Sequence, residues 1–177
     1  MFGGYIPKLK KSKIPNHAII DSELEEQIRI IKNNEDRENV NVLYGLIKQD
    51  ELGLGYYVLD ILDGEEYRDL GLITTVGSGL GEHINKKFAE RLNKNCKIKF
   101  HKGEIGLIHK HDEKFYPSYE DMTFMNRNPY ILFMIVFGDN AEYGLGCFNG
   151  YFFGKTGGSY INNETDNSLK LEFYDIL

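Results

Sequence analysis

His109 and His111 stand two apart in the stretch Gly106-Leu107-Ile108-His109-Lys110-His111, and Asp121 follows ten residues after the second histidine. Side chains of a strand alternate between its faces, so residues at this spacing share a face. Two neutral imidazoles on one face offer two nitrogen donors to a single cation. A loop returning over the end of the strand would bring the Asp121 carboxylate in as a third ligand. Two histidines and a carboxylate around a divalent ion, with water in the fourth position, make the donor set of a catalytic zinc site. Closed structural sites use four protein ligands, and no fourth Cys or His stands nearby in the chain.

The same residues also have plainer readings. A His-x-His pair arises often by chance. Ser118 and Asp121 have the spacing of a helix N-cap and its third-position carboxylate, a pair that can stabilise a helix start and do nothing more. A cupin also carries His-x-His, but it needs a Glu a few residues later and a distant third histidine. Glu113 is too close for that, and no histidine follows His111.

The elements that must hold these residues can be read from periodicity. Glu104 to His109 reads as extended, and Pro117-Ser118 opens a short helix that runs to about Asn126. Tyr130 to Phe137 is continuously apolar, the pattern of a strand buried on both faces. Upstream, His17 to Ile20 suggests an edge strand. Ser22 and Glu25 fit a capping box ahead of a helix whose Leu24, Ile28 and Ile31 form one stripe and which ends at Asn33-Asn34. Strands are expected at Glu38 to Ile47, Tyr56 to Leu62 and Leu70 to Val76. A helix is expected at Ile84 to Leu92, then extended chain at Cys96 to Phe100. A hairpin at Tyr143 to Phe153 and a last strand at Leu169 to Tyr174 complete the pattern. Strands and helices mix without strict alternation, which predicts an α/β sandwich built on a mixed sheet.

Composition bounds the function. The 177 residues suit one domain, expected over 17–177 behind a solvated or partner-binding tail at 1–16 that carries Lys8, Lys10, Lys11 and Lys13. A net charge of −6 gives no overall basic face for a phosphate backbone, so no nucleic-acid partner is expected. No run of about 18 apolar residues occurs, and the first residues lack the apolar core of a signal peptide, so no membrane partner is expected either. Cys96 and Cys147 form no CxxC pair, which fits a reducing, cytoplasmic setting. Gly154-Lys155-Thr156 lacks the first glycine of a phosphate loop, having Asn149 there, and Gly77, Gly79 and Gly81 fit a flexible connection better than any phosphate fingerprint.

Taken together, His109-Lys110-His111, six intervening residues and Ser118-Tyr119-Glu120-Asp121 resemble the signature of the JAMM, or MPN-plus, metalloproteases. That family also carries a glutamate seven residues before a strand glycine, and Glu38 stands seven before Gly45. The likeness covers roughly Ile19 to Gly150. The chain departs from the family in a loop one residue shorter before Ser118, in Lys110 between the histidines, and in Asp112 where proline is usual.

The resemblance implies an MPN-type fold: a mixed, partly barrelled β-sheet flanked by helices. It implies one Zn²⁺ per chain on His109, His111 and Asp121, with zinc-activated water hydrolysing an amide bond. Glu38 would be the general base and Ser118 the donor to the oxyanion. The implied substrate is the C-terminal tail of ubiquitin or a ubiquitin-like protein, an extended segment that could add to a sheet edge, with Phe115 and Tyr116 lining the groove or packing under the helix. Two other functions fit the same residues: a non-catalytic MPN-type scaffold, and a zinc hydrolase of small peptides or carrier-protein tails.

Overall fold

The computed structural model describes residues 14–33, 40–74, 84–111, 118–138, 143–150, 169–174 and 176. Within them, strands β1 (His17–Asp21), β2 (Asn41–Asp50), β3 (Gly53–Leu62), β4 (Gly103–Lys110), β5 (Leu132–Gly138), β6 (Tyr143–Phe148) and β7 (Lys170–Tyr174) form one sheet. Its order is β6-β5-β4-β2-β3-β1-β7. β1 runs parallel to both β3 and β7, and β4 runs parallel to β5, while the remaining pairs are antiparallel. The Leu169 N–H donates to the Cys147 carbonyl at 2.6 Å, which ties the two outer strands together and curls the sheet toward a barrel. The expected mixed sheet, partly barrelled and flanked by helices, is therefore what the chain forms.

The helices are α1 (Glu25–Asn33), α2 (Gly64–Asp69), α3 (Lys86–Lys97) and α4 (Tyr119–Arg127). Phe88 and Leu92 of α3 and Met122 and Met125 of α4 pack with Val42, Leu107, Phe133 and Ile135 on one face of the sheet. Leu24 and Ile28, at the start of and within α1, pack on the other face with Leu43, Ile108, Met134 and Val136. β5 thus contributes to both cores, as its unbroken apolar run implies. Each such side chain removed from water contributes roughly 1.5–3 kcal/mol before the entropy of ordering is set against it.

Alternation along β4 decides which face the histidines serve. Tyr44 pairs with Glu104 and Leu43 with Gly106, so Ile105 is an extra residue that shifts the register. Beyond this bulge Leu107 and His109 share the face covered by α4, and His109 pairs with Ile135. The parallel partner comes very close at Gly106, where a Cβ would lie 2.2 Å from the Leu132 carbonyl oxygen.

Several local expectations are corrected. β1 is not an edge strand, because β7 adds to its outer side. The helix after it starts differently: Asp21, not Ser22, is the N-cap, opening a short 3-10 turn, Ser22–Leu24, and accepting from the Glu23 N–H. Gly64–Asp69 is helical, capped by Asp63, and the strand expected at Leu70 to Val76 is reduced, among the described residues, to one bridge from Ile73 to Ile84. Cys96 lies in the last turn of α3 rather than in extended chain, since the helical stripe Phe88, Leu92, Cys96 continues one turn further. β6 pairs antiparallel with β5, and residues 151–153 of the hairpin expected at Tyr143 to Phe153 lie outside the described residues. Residues 75–83 and 151–168, which include the glycine triplet and Gly154-Lys155-Thr156, lie outside the described residues.

Residues 14–16, at the end of the expected tail, are held against the body. Ile14 is buried, and the Pro15 carbonyl accepts from the Asn149 amide. His17 is buried between the Asn16 amide oxygen and Asp50, 2.7 Å away, and so ties β1 to the β2–β3 turn.

Replacing Gly106 with alanine is expected to lower stability by about 1–3 kcal/mol, because backbone rather than a flexible side chain opposes the new methyl. Thermal and urea unfolding of Gly106→Ala read this, and an unchanged midpoint would contradict the close approach.

Candidate metal centre

β4 ends at Lys110, and the His111 N–H continues the ladder by donating to the Val136 carbonyl at 2.8 Å. This keeps both histidines at the carboxyl end of a parallel strand. The chain must then cross over to enter β5 in the same direction, and α4 lies in that crossover. A helix returning this way presents its N-terminus beside the end of the strand it left, which is where ligands collect in α/β units.

Ser118 is the N-cap of α4, with extended backbone (φ −69°, ψ 171°). Its Oγ accepts from the Asp121 N–H at 3.1 Å, and its own N–H donates to Asp121 Oδ2 at 3.1 Å. The reciprocal pair is a complete capping box. It orients the Asp121 carboxylate at the helix start, where unpaired N–H groups and the helix dipole favour negative charge.

The same Oδ2 faces the histidines. His109 Nε2 and His111 Nε2 are 2.9 Å apart, and Asp121 Oδ2 lies 3.4 Å from the first and 3.2 Å from the second. Tetrahedral zinc with bonds of about 2.0–2.1 Å would separate its ligand atoms by roughly 3.3 Å. The observed triangle is close to that spacing, and together the three residues form a group that can hold a metal ion. Three lone pairs cannot converge at contact distance by themselves, so protons or a cation must lie between them. Asp121 is 2% exposed, and a carboxylate so buried needs a compensating charge. Burial alone would push its carboxyl up, but the charges and hydrogen bonds of His109 and His111 hold it well below the usual carboxylate range. His109 Nδ1 is buried without a partner among the described residues, so none of them dictates the tautomer. The donor set therefore fits a divalent transition metal, with neutral imidazoles and an ionised carboxylate as ligands.

Of the five residues singled out in the sequence, His109, His111, Ser118 and Asp121 meet at one point. Glu38 lies outside the described residues, as do Phe115 and Tyr116. The helix-cap reading of Ser118 and Asp121 is realised, and the same carboxylate faces both imidazoles. The Ser118 hydroxyl accepts along the helix and keeps its proton for donation elsewhere.

No family model and no curated protein matches the chain. Solved structures do. A protein from Desulfitobacterium hafniense, determined in solution, aligns with a TM-score of 0.53 at 15% identity over 90% of this chain and 94% of its own. A JAB1/MPN domain protein from Archaeoglobus fulgidus aligns with a TM-score of 0.43 at 14% identity over 88% of this chain and 97% of its own. The likeness to the Desulfitobacterium protein is one of fold and extends over nearly the whole of both chains.

Ser118→Ala is expected to lower stability by about 0.5–2 kcal/mol through loss of the cap. The same change should weaken metal binding, because Asp121 loses the acceptor of its N–H. Chemical unfolding and metal titration of the variant measure the two effects, and a variant with both unchanged would show that the cap does not position the carboxylate.

Proposed function

We propose that this chain is an MPN-type zinc hydrolase that cleaves the amide bond at the C-terminal tail of a ubiquitin-like protein. The observation that carries the reading is the convergence of His109, His111 and Asp121 at the junction of β4 and α4, joined by Ser118. Two imidazoles and one carboxylate would leave a tetrahedral ion its fourth position for water, the donor count of catalytic rather than structural zinc. A zinc ion held there would supply Lewis-acid activation of water and of the scissile carbonyl.

The chain's own residues have separable roles. His109 and His111 bind as neutral imidazoles, and Asp121 brings the one negative charge. Ser118, its Oγ already oriented by the Asp121 N–H, donates its proton to the oxyanion that develops on the carbonyl. Glu38 accepts the proton of the attacking water and returns it to the leaving amine. Its assignment rests on the resemblance in sequence. The register adds support: Asn41 of β2 pairs with Ile108, so the chain enters β2 at the end of β4 that carries His109. An extended, glycine-rich tail suits the substrate, since it can add to a sheet edge by backbone pairing. Two buried, unbridged thiols, Cys96 and Cys147, agree with work in the reducing cytoplasm.

The purified protein should carry about one zinc per chain by elemental analysis, and a panel of ubiquitin-like fusions should include one that is cleaved and that a chelator protects. Glu38→Gln should keep the zinc and lose hydrolysis, while Ser118→Ala should lower turnover by about 10²–10³. Metal-free protein with intact ligands, or zinc-loaded protein that cleaves no member of the panel, would argue instead for an MPN-type scaffold.

A further inference from the structure

Positive charge is concentrated on α3 and the loop that follows it. Seven lysines and arginines stand between residues 86 and 102 against one acidic residue, Glu90, in a chain whose net charge is −6. Arg91 is engaged by Glu104 at 2.7 Å. Lys86, Lys94 and Arg127 are exposed and form no ion pair among the described residues.

These cations border a groove of about 1160 Å³ between α3 and α4. Its floor is apolar, with Ile84, Ala89, Phe124 and Tyr130, and its rim carries Lys86, Lys94, Lys97 and Arg127. The Lys97 ammonium sits 4.9 Å from the centre of the Tyr130 ring, so one rim charge already leans over the floor. Glu90 and Glu120 also line the groove. Among the described residues of α4, Glu120, Thr123, Phe124 and Arg127 border this groove, while Asp121 is turned toward the histidines.

We infer that the groove docks an acidic, amphipathic polypeptide segment of a protein partner. The charge of the rim selects carboxylates, and the apolar floor gives their neighbouring side chains a place to leave water. A lipid surface is flat and could not reach the floor. A phosphate backbone would leave the apolar floor unused. The acidic remainder of the chain repels such a segment elsewhere, which confines it to this face. The inference concerns docking and holds whether or not the partner is then cleaved.

The test uses the full chain and a fluorescein-labelled peptide in which glutamates alternate with leucine and phenylalanine, read by fluorescence anisotropy. A chelator is present throughout, so the readout is independent of the metal centre. The wild-type protein should bind the peptide saturably and should not bind a version with lysine in place of glutamate. Lys94→Glu with Arg127→Glu, one change on each wall, should weaken binding at least about tenfold. Lys87→Glu with Lys102→Glu reverses as much charge away from the groove and should weaken it less than about twofold. Equal losses from the two pairs would show diffuse attraction without a groove. Tighter binding to phosphatidylserine vesicles or to a single-stranded oligonucleotide than to the peptide would overturn the choice of partner, and absence of peptide binding would overturn the inference itself.

Discussion

Parallel pairing of β4 with β5 is the constraint on which the centre depends. Two adjacent strands running the same way cannot be joined by a turn, so the chain must travel back along the sheet before entering the second strand. α4 forms in that return and packs Met122 and Met125 against the sheet. Its N-terminus then stands beside the strand end it left. His109, His111, Ser118 and Asp121 meet there because the topology leaves the helix start no other place. Gly106 permits the pairing, because any side chain at that position would meet the backbone of β5.

Within the centre, one oxygen serves two purposes. Asp121 Oδ2 accepts the Ser118 N–H that closes the capping box and also faces both imidazoles. Helix capping and the placement of this carboxylate beside the imidazoles are consequently one interaction. Secondary structure holds the buried carboxylate still at a cost already met by helix formation. The same burial leaves the carboxylate dependent on a positive neighbour, and a buried charge deprived of its partner is strongly destabilising. A cation held between the imidazoles and the carboxylate would fill that need.

α4 also separates two environments. Its inner side carries the apolar residues and Asp121, and its outer side lines the basic groove shared with α3. A helix of nine residues thus borders both the centre and the groove. Lys86 and Lys94 show in the sequence as part of a local excess of charge, yet only the packing of two helices side by side on the sheet turns that excess into a lined cleft.

Much of the candidate site was legible in the sequence. The His-x-His spacing with Ser118 and Asp121 carries its meaning locally, since strand alternation and helix capping are short-range geometry. The apolar run of β5 and the stripe of α3 were equally plain. The reading failed where pairing is decided at a distance. β1 is interior only because β7 arrives from the far end of the chain, and among the described residues of the expected strand Leu70 to Val76 only Ile73 pairs, in one bridge to Ile84 after α2 has ended at Asp69. The sequence by itself determined the donor types, their spacing and the helix start. Tertiary structure alone decided that the three ligand atoms lie within contact of one another, because the parallel crossover, the register shift at Ile105 and the close approach at Gly106 are contacts between residues that no local pattern relates.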